Sequence, residues 1–233
     1  MIFRFKQFAV SHANSSMRVG TDAVILGSWV ELKNSKKILD IGTGSGIIAM
    51  MMAQKNEEAQ IKAIDIDENS ISEASQNFKQ SPWSERLEAE CIALQNYGLS
   101  HKNQFDHIVS NPPFFSKSTP SPEKARHNAR HTDTLSAVDF FNYSKLLLSE
   151  IGRISLIIPF DSSAYWIKTA ERCTLFPSRI TNVISYPGKP VERLLIEFSN
   201  EKLIIESSEF CIRKGKGLAY SEDYIQLTQD FYL

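Results

Sequence analysis

The sequence predicts an α/β protein with a doubly wound, mostly parallel sheet of seven strands and helices on both faces. Short apolar runs alternate with helical patterns over most of the chain, which is typical of parallel strands joined by right-handed crossovers. Two further strands near the C-terminus are separated by a loop and no helix, which indicates an antiparallel hairpin at the sheet edge. A hydrophobic strand that runs into closely spaced glycines and then a helix predicts a ligand site.

The five apolar runs are bounded by turn residues and are predicted to be buried strands. They cover 37–41, 61–66, 87–92, 105–110 and 153–158. Helical patterns follow four of them, at 45–55, 68–79, 134–150 and 162–173. The edge hairpin pairs 179–186 with 194–198 around the loop 187–190. Ligands of open α/β sheets bind at the carboxyl ends of the strands, so we expect the site there.

Length and composition indicate one main domain, because 233 residues with 42% hydrophobic content suffice for one core and are few for two. We predict a single domain over 1–233, with a catalytic core at 37–233. Residues 1–36 are predicted to be an N-terminal extension that forms part of the cover over the ligand site. The net charge of -1 excludes a globally basic nucleic-acid binder, so any RNA contact must come from local patches.

The cysteine pattern predicts neither a disulfide framework nor a zinc site, because Cys91, Cys173 and Cys211 are widely separated. His12, His101 and His107 likewise lack the spacing of metal ligands. No apolar run approaches membrane-spanning length, and no secretory leader pattern is present. We therefore expect a cytoplasmic protein with no metal, no membrane association and no obligate protein partner.

The glycine segment after the first strand predicts a nucleotide-like cofactor. Gly42, Gly44 and Gly46 follow the strand in G-x-G-x-G spacing. Such glycines let the backbone approach a ligand that a Cβ would block, and the next helix offers free N–H groups. Asp40 precedes the glycines, which favours an amino-acid ammonium over a pyrophosphate and hence S-adenosylmethionine over NAD. The alternative is a tight turn that binds no ligand.

Asp65 ends the second strand about twenty residues beyond the glycines, where an acidic side chain can accept both ribose hydroxyls. The neighbouring Ile66 is included in the predicted cofactor site. A helix-capping or surface carboxylate is the alternative for Asp65. We predict that Asp67 caps the following helix.

The residues Asn111-Pro112-Pro113-Phe114 follow the fourth strand and predict methyl transfer to a planar nitrogen. The lone pair of such a nitrogen is delocalised, so the Asn111 side-chain oxygen and the Pro112 carbonyl can each accept one N–H and localise it. Phe114 offers a flat face on which a planar substrate can stack. The alternative is an ordinary turn, since Asn-Pro often starts one.

The LDIGTGSG segment, the acidic strand end and NPPF resemble class I S-adenosylmethionine-dependent methyltransferases that act on planar amino groups. That resemblance implies the Rossmann-like class I methyltransferase fold. The stretches 5–8 and 17–29 are similar to those of the bacterial tRNA1(Val) (adenine(37)-N6)-methyltransferase family. Further similar stretches lie at 81–83, 129–132 and 230–233, so the resemblance spans essentially the whole chain.

The resemblance implies methyl transfer from S-adenosylmethionine to N6 of the adenosine just 3′ of the anticodon in a valine tRNA. Asn111, Pro112 and Phe114 would hold the adenine. Residues 17–22 would close over the cofactor, with Thr21 and Asp22 in contact with it; a helix N-cap pair is the alternative for these two. Many family members have Asp at the end of the third strand, where this chain has Cys91. We therefore assign the contact with the cofactor's adenine to the Ile92 backbone.

A locally basic stretch after the NPPF loop is expected to bind tRNA phosphates. Its candidate residues are Lys117, Lys124, Arg126, Arg130 and His131. A solvated surface loop is the alternative. An anticodon loop is single-stranded, so its adenine can enter the pocket at modest unstacking cost, and no separate recognition domain is needed.

Three other functions remain open from the sequence. A glutamine-N5 methyltransferase acting on a protein would use the same NPP motif, although that family has a larger N-terminal domain. An enzyme that methylates an exocyclic amine of another RNA, such as rRNA, is the second. The third is a non-catalytic cofactor-binding or RNA-binding module, which would bind without methyl transfer.

Overall fold

The computed structural model describes residues 2–13, 19–32, 34–112 and 135–232. Its strands are β1 Ile2–Arg4, β2 Ala9–Ser11, β3 Lys37–Ile41, β4 Gln60–Asp65, β5 Leu87–Cys91, β6 Phe105–Ser110, β7 Leu148–Pro159, β8 Phe176–Ile184, β9 Arg193–Ser199 and β10 Glu206–Cys211. Its described helices are α1 Thr21–Trp29, α2 Ile47–Lys55, α3 Glu68–Lys79, α4 Leu94–Ser100, α5 Ala137–Leu147, α6 Phe160–Arg172 and α7 Glu222–Thr228. None of these helices is long and apolar enough to cross a membrane.

The central sheet has the strand order β10-β8-β9-β7-β6-β3-β4-β5. Strands β3 to β7 pair in parallel, and β9 is antiparallel to both β7 and β8. The predicted α/β class, the mostly parallel sheet and the antiparallel C-terminal hairpin are therefore confirmed. One end of the sheet, called here the carboxyl edge, carries the carboxyl ends of β3, β4, β6, β7, β8 and β10 together with the start of β9.

The sheet contains one strand more than the seven predicted. The additional strand β10 pairs in parallel with β8 and forms the outer edge beyond the hairpin. Its first four residues are polar and exposed, so it lacks the apolar run that identifies a buried strand. An edge strand needs only one covered side, which explains why such a sequence can extend the sheet.

Both faces of the sheet are covered by helices. Side chains alternate along a strand, so Ile38 of β3 joins the core beneath α1, α2 and α3, whereas Leu39 joins the core beneath α4, α5 and α6. The N-terminal helix α1 belongs to the first of these cores, with Val24, Ile25 and Leu26 fully buried. Residues 23–30 are thus as buried as the central strands are.

Helix α1 ends at the ammonium group of Lys55, the last residue of α2. The Lys55 Nζ donates to the Ser28 carbonyl at 2.6 Å and also to the Val30 carbonyl. These carbonyls have no partner within the helix, as is usual for a helix C-terminus, and the ammonium satisfies them. Desolvation of the ammonium group lowers the pKa of Lys55 to about 8. At the other end of α1, the N-cap is Gly20. Asp22 in the first turn pairs with Arg193 at the start of β9, so this end of the helix lies beside the carboxyl ends of β7 and β8.

Candidate active site

The turn between β3 and α2 leaves open space beside two of its glycines. Gly42, Gly44 and Gly46 have φ values of 70°, 55° and 84°. A Cβ added at Gly42 or Gly44 would meet no heavy atom within 4 Å, whereas one at Gly46 would lie 2.5 Å from the Phe78 Cε1. The first two glycines therefore leave room for a ligand beside their backbone. Gly46, which the sequence assigned to the cofactor, is the point where α3 packs against the turn.

Hydrogen bonds from β4 hold this turn in place. The Gly42 and Thr43 N–H groups donate to the Ile64 carbonyl at 2.9 and 3.1 Å, and the Gly44 N–H donates to Asp65 Oδ2 at 2.9 Å. Asp65 Oδ1 accepts the Asp67 N–H at 3.1 Å. Each carboxylate oxygen has a second lone pair, so Asp65 can still accept two ribose hydroxyls. Asp65 does not cap α3; Asp67 does, by accepting from Ser70, as predicted.

Asp40 is fully buried beneath the glycine turn. Its Oδ2 accepts the Thr43 hydroxyl at 2.6 Å and the Ala49 N–H at 3.1 Å. Its Oδ1 has no hydrogen-bond partner among the described residues. Burial raises the pKa of Asp40 to about 7. A buried acceptor without a donor is costly, and a ligand that brings an ammonium group to the turn would remove that cost.

Asn111 and Pro112 lie next to this turn because β6 pairs with β3. Ile41 is the register partner of Ser110, and the buried Ser110 hydroxyl donates to the Ile41 carbonyl at 2.7 Å. The chain therefore leaves β6 at Asn111 directly beside Gly42. Asn111 is half-buried and Pro112 is buried. Phe114 lies outside the described residues, as do Lys117, Lys124, Arg126, Arg130 and His131.

The ends of β4 and β5 form an apolar wall of the same crevice. The Ile66 side chain, directly after Asp65, is 56% exposed. The Ile92 N–H donates to the Asp65 carbonyl at 2.9 Å, so only the carbonyl and side chain of Ile92 are left for an adenine. Cys91 is exposed, and its Sγ lies 3.6 Å from the Ile66 carbonyl. Contact between the adenine and these residues stays a prediction.

Thr21 and Asp22 occupy the first turn of α1. The N-cap of that helix is Gly20, and no side chain caps it, so the alternative of an N-cap pair for Thr21 and Asp22 is wrong. Thr21 is exposed, whereas Asp22 Oδ2 accepts the Arg193 Nε–H at 2.9 Å. Arg193 is absent from the residues predicted above, since an arginine at the start of a strand carries no local signal. Only the folded structure shows that Arg193 pairs with Asp22.

Two buried residues of α3 hold the N-terminal segment beside the turn. Glu73 Oε1 accepts the Ser11 hydroxyl at 2.9 Å and the Ala13 N–H at 2.7 Å. The Asn77 amide donates to the Ser11 and Ser45 carbonyls at 2.9 and 2.8 Å, and its oxygen accepts the Ser11 N–H. These bonds connect the β2 strand to the glycine turn. No pattern in the sequence identifies Glu73 or Asn77.

Solved structures with this fold include methyltransferases. A predicted O-methyltransferase of Agrobacterium tumefaciens superposes with a TM-score of 0.71 at 18% identity, covering 90% of this chain and 96% of its own. A SAM-dependent methyltransferase of Aquifex aeolicus superposes with a TM-score of 0.52 at 13% identity, covering 70% and 81%. At these identities the likeness concerns the fold alone, which is that of the class I methyltransferases.

Sequence relatives narrow the class to a family. Residues 10–158 match the methyltransferase small domain family. Proteins named tRNA1(Val) (adenine(37)-N6)-methyltransferase are 40% identical in Trichodesmium erythraeum and 41% identical in a strain of Bacteroides fragilis, each over 99% of this chain and 97% of the relative. One from Flavobacterium johnsoniae is 40% identical over 100% of this chain and 99% of its own length. The chain belongs to the methyltransferase small domain family, and it is a methyltransferase.

Proposed function

We propose that the protein transfers the methyl group of S-adenosylmethionine to N6 of the adenosine at position 37 of tRNA1(Val). The observation that carries this proposal is the position of Asn111 and Pro112, which leave β6 directly beside the open glycine turn of β3. Relatives that are about 40% identical over the whole chain bear the name of this activity. The proposal includes a cytoplasmic location.

The side chains at the strand ends fit the donor. The Asp40 Oδ1 would accept its ammonium group, the open backbone at Gly42 and Gly44 would lie against its methionine portion, and Asp65 would accept its ribose hydroxyls. The exposed Ile66 side chain would cover one face of its adenine. Thr21 and Asp22 would close over the donor from the start of α1, and residues 1–36 would thus form part of the cover.

Asn111 and Pro112 would perform the activation step. S-adenosylmethionine supplies an electrophilic methyl group on a sulfonium. The Asn111 side-chain oxygen and the Pro112 carbonyl accept the two N–H groups of N6 and so turn its lone pair out of the ring plane. With the donor bound, N6 would bond to the methyl carbon while the S–C bond breaks and leaves its electron pair on sulfur. One N–H proton then leaves to solvent, so no strong base is required.

The remaining predicted contacts lie after β6. Phe114 would stack on the target adenine, and the basic stretch that contains Lys117, Lys124, Arg126, Arg130 and His131 would pair with tRNA phosphates. An adenosine in a single-stranded anticodon loop can leave its stack at a cost of a few kcal/mol, which admits it to a pocket at the sheet edge.

Incubation of the purified protein with S-adenosylmethionine and unmodified valine tRNA, followed by nucleoside mass spectrometry, tests the proposal. We expect N6-methyladenosine from the wild type and none from Asn111→Ala, whereas calorimetry should show nearly unchanged cofactor binding. Asn142→Ala is the matched control, since Asn142 is an exposed asparagine of α5. Cofactor binding without any methylated nucleoside would refute the proposal and point to a protein glutamine or another RNA.

A further inference from the structure

A groove of about 710 Å³ lies between the N-terminal hairpin and the C-terminal helix α7. Its walls include the rings of Phe3, Tyr220 and Tyr232 and the side chains of Arg4, Lys6 and Thr21. Tyr220 is 38% exposed, and Phe3 and Tyr232 are half-buried. The size is typical of a ligand site. Of these residues, the function proposed above assigns a ligand contact only to Thr21; Phe3, Arg4 and Lys6 belong to the segment 1–36, which it assigns to the cover as a whole.

The charges around the groove favour an anionic occupant. Its described walls contain two cations, Arg4 and Lys6, and no carboxylate. The exposed Arg4 forms no ion pair with any described residue. The Lys6 Nζ donates to the Gln229 carbonyl at 2.6 Å, which leaves further N–H groups free because an ammonium has three. The Arg213 guanidinium lies 4.6 Å from the Tyr220 ring centroid and adds a third cation beside the groove.

The end of the groove formed by Tyr220 and Thr21 lies at the carboxyl ends of the strands, as Asn111 does. Tyr220 pairs with Arg213, which follows the carboxyl end of β10. Thr21 begins α1, whose Asp22 binds Arg193 at the start of β9. Four strand spacings separate β10 from β6, which corresponds to about 19 Å. An extended chain of a few nucleotides can span that distance, so one RNA molecule can occupy both places.

We propose that this groove binds unpaired nucleotides of the same RNA whose target adenosine enters the Asn111 site. The inference rests on the function proposed above, since it assumes an RNA substrate. Exposed aromatic faces stack on bases and cations pair with phosphates, and this combination is how proteins hold single-stranded RNA. Val19 and Thr21 line the groove and also belong to the segment 17–22, which is expected to cover the donor. RNA in the groove therefore touches the start of α1, next to the donor site.

Arg4→Glu tests the groove with little risk to the fold, because the side chain is exposed. Arg172→Glu on α6 is the matched control, since α6 packs on the opposite face of the sheet. We expect Arg4→Glu to weaken tRNA binding about tenfold and to lower the slope of log K against log salt by about 0.7 for each phosphate that the variant no longer neutralises. The KM for tRNA should rise while kcat and cofactor affinity remain those of the wild type. Equal tRNA affinity of Arg4→Glu and Arg172→Glu would overturn the groove assignment.

Fluorescence anisotropy with valine tRNA separates this inference from the proposed function, because it measures binding without turnover. A wild type that binds tRNA through Arg4 but does not methylate it would refute the function and keep the groove. Methylation by the wild type, with a tRNA affinity that is unchanged in Arg4→Glu, would refute the groove and keep the function. A wild type that does not bind tRNA at all would overturn both. Ultraviolet cross-linking gives a second readout. Cross-linked nucleotides on Phe3, Tyr220 or Tyr232 are expected, and cross-links confined to other peptides would contradict the assignment.

Discussion

Asp22 and Arg193 form an ion pair, with 2.9 Å between the Asp22 Oδ2 and the Arg193 Nε. The pair joins the first turn of α1 to the first residue of β9, 171 residues away in sequence. Both side chains are about one-third exposed, so the pair contributes little to stability, about 0–1 kcal/mol. Its consequence is positional, since it fixes the Asp22 carboxylate at the edge of the sheet that carries Asn111.

Removal of Arg193 should weaken cofactor binding only through Asp22. We expect Asp22→Asn to lower the affinity for S-adenosylmethionine about tenfold, a charged hydrogen bond being worth about 1.5–3 kcal/mol, and Arg193→Gln to lower it less. The double variant should then bind S-adenosylmethionine with the same affinity as Asp22→Asn, because the two residues act as one unit. Calorimetric titrations of the wild type, the two single variants and the double variant with S-adenosylmethionine measure this double-mutant cycle. Additive losses would show that Arg193 acts on the cofactor independently of Asp22.

Ionisation of Asp40 should make the stability of the free protein depend on pH. Burial raises its pKa to about 7 from an ordinary value of 3.8. The folded state holds the proton more tightly, so this contribution to stability is complete below about pH 4 and is lost as the pH rises through about 7. In Asp40→Asn, the free energy of unfolding should therefore fall less between about pH 4 and pH 8. Urea unfolding at a series of pH values measures the difference.

The same variant should bind the donor less tightly. Asparagine cannot supply a negative charge to an ammonium group, so we expect the affinity at pH 8 to fall about ten- to hundredfold. Asp161→Asn, an exposed carboxylate of α6, is the control for both measurements. An Asp40→Asn protein that binds S-adenosylmethionine as tightly as the wild type would exclude Asp40 from ammonium binding.

Alanine substitutions at two glycines of the same turn should differ in their effects on stability and on donor binding. Gly44→Ala adds a Cβ in open space at φ 55°, so it should cost about 1–2 kcal/mol of stability and largely block the donor. Gly46→Ala places a Cβ 2.5 Å from Phe78, and overpacking of this kind costs about 1–3 kcal/mol in addition to the backbone strain. Unfolding and calorimetric titrations of both variants test this. Greater loss of stability in Gly44→Ala than in Gly46→Ala would contradict the geometry.

The sequence predicts the features that local patterns encode. The apolar runs give the bounds of β3 and β6, and the amphipathic pattern gives those of α3, because burial of one face imposes a period on neighbouring residues. The polar edge strand β10 and the short hairpin of β1 and β2 have no such period. The contacts of Asp22 with Arg193 and of Phe3 with Tyr232 connect residues from opposite ends of the chain, so only the packed fold brings them together.

Asn77 should affect donor binding through the N-terminal segment that it holds. Its buried amide makes three hydrogen bonds, two with Ser11 and one with the Ser45 carbonyl in the glycine turn. Asn77→Ala leaves these backbone groups without a partner and should cost about 2–4 kcal/mol, at about 1 kcal/mol or more for each bond. It also frees the turn from β2, so the affinity for S-adenosylmethionine should fall even under conditions in which the variant is fully folded.

Asn200 offers a matched control for this prediction. Its amide donates to the Ser149 and Glu150 carbonyls and its oxygen accepts the Lys145 ammonium, which gives it three hydrogen bonds at the sheet edge opposite the glycine turn. Asn200→Ala should lose stability through the same mechanism but bind the donor as the wild type does. Circular dichroism establishes that each variant is folded at the temperature of the calorimetric titration. If both variants lose donor affinity equally, the loss follows from general destabilisation and Asn77 does not position the turn.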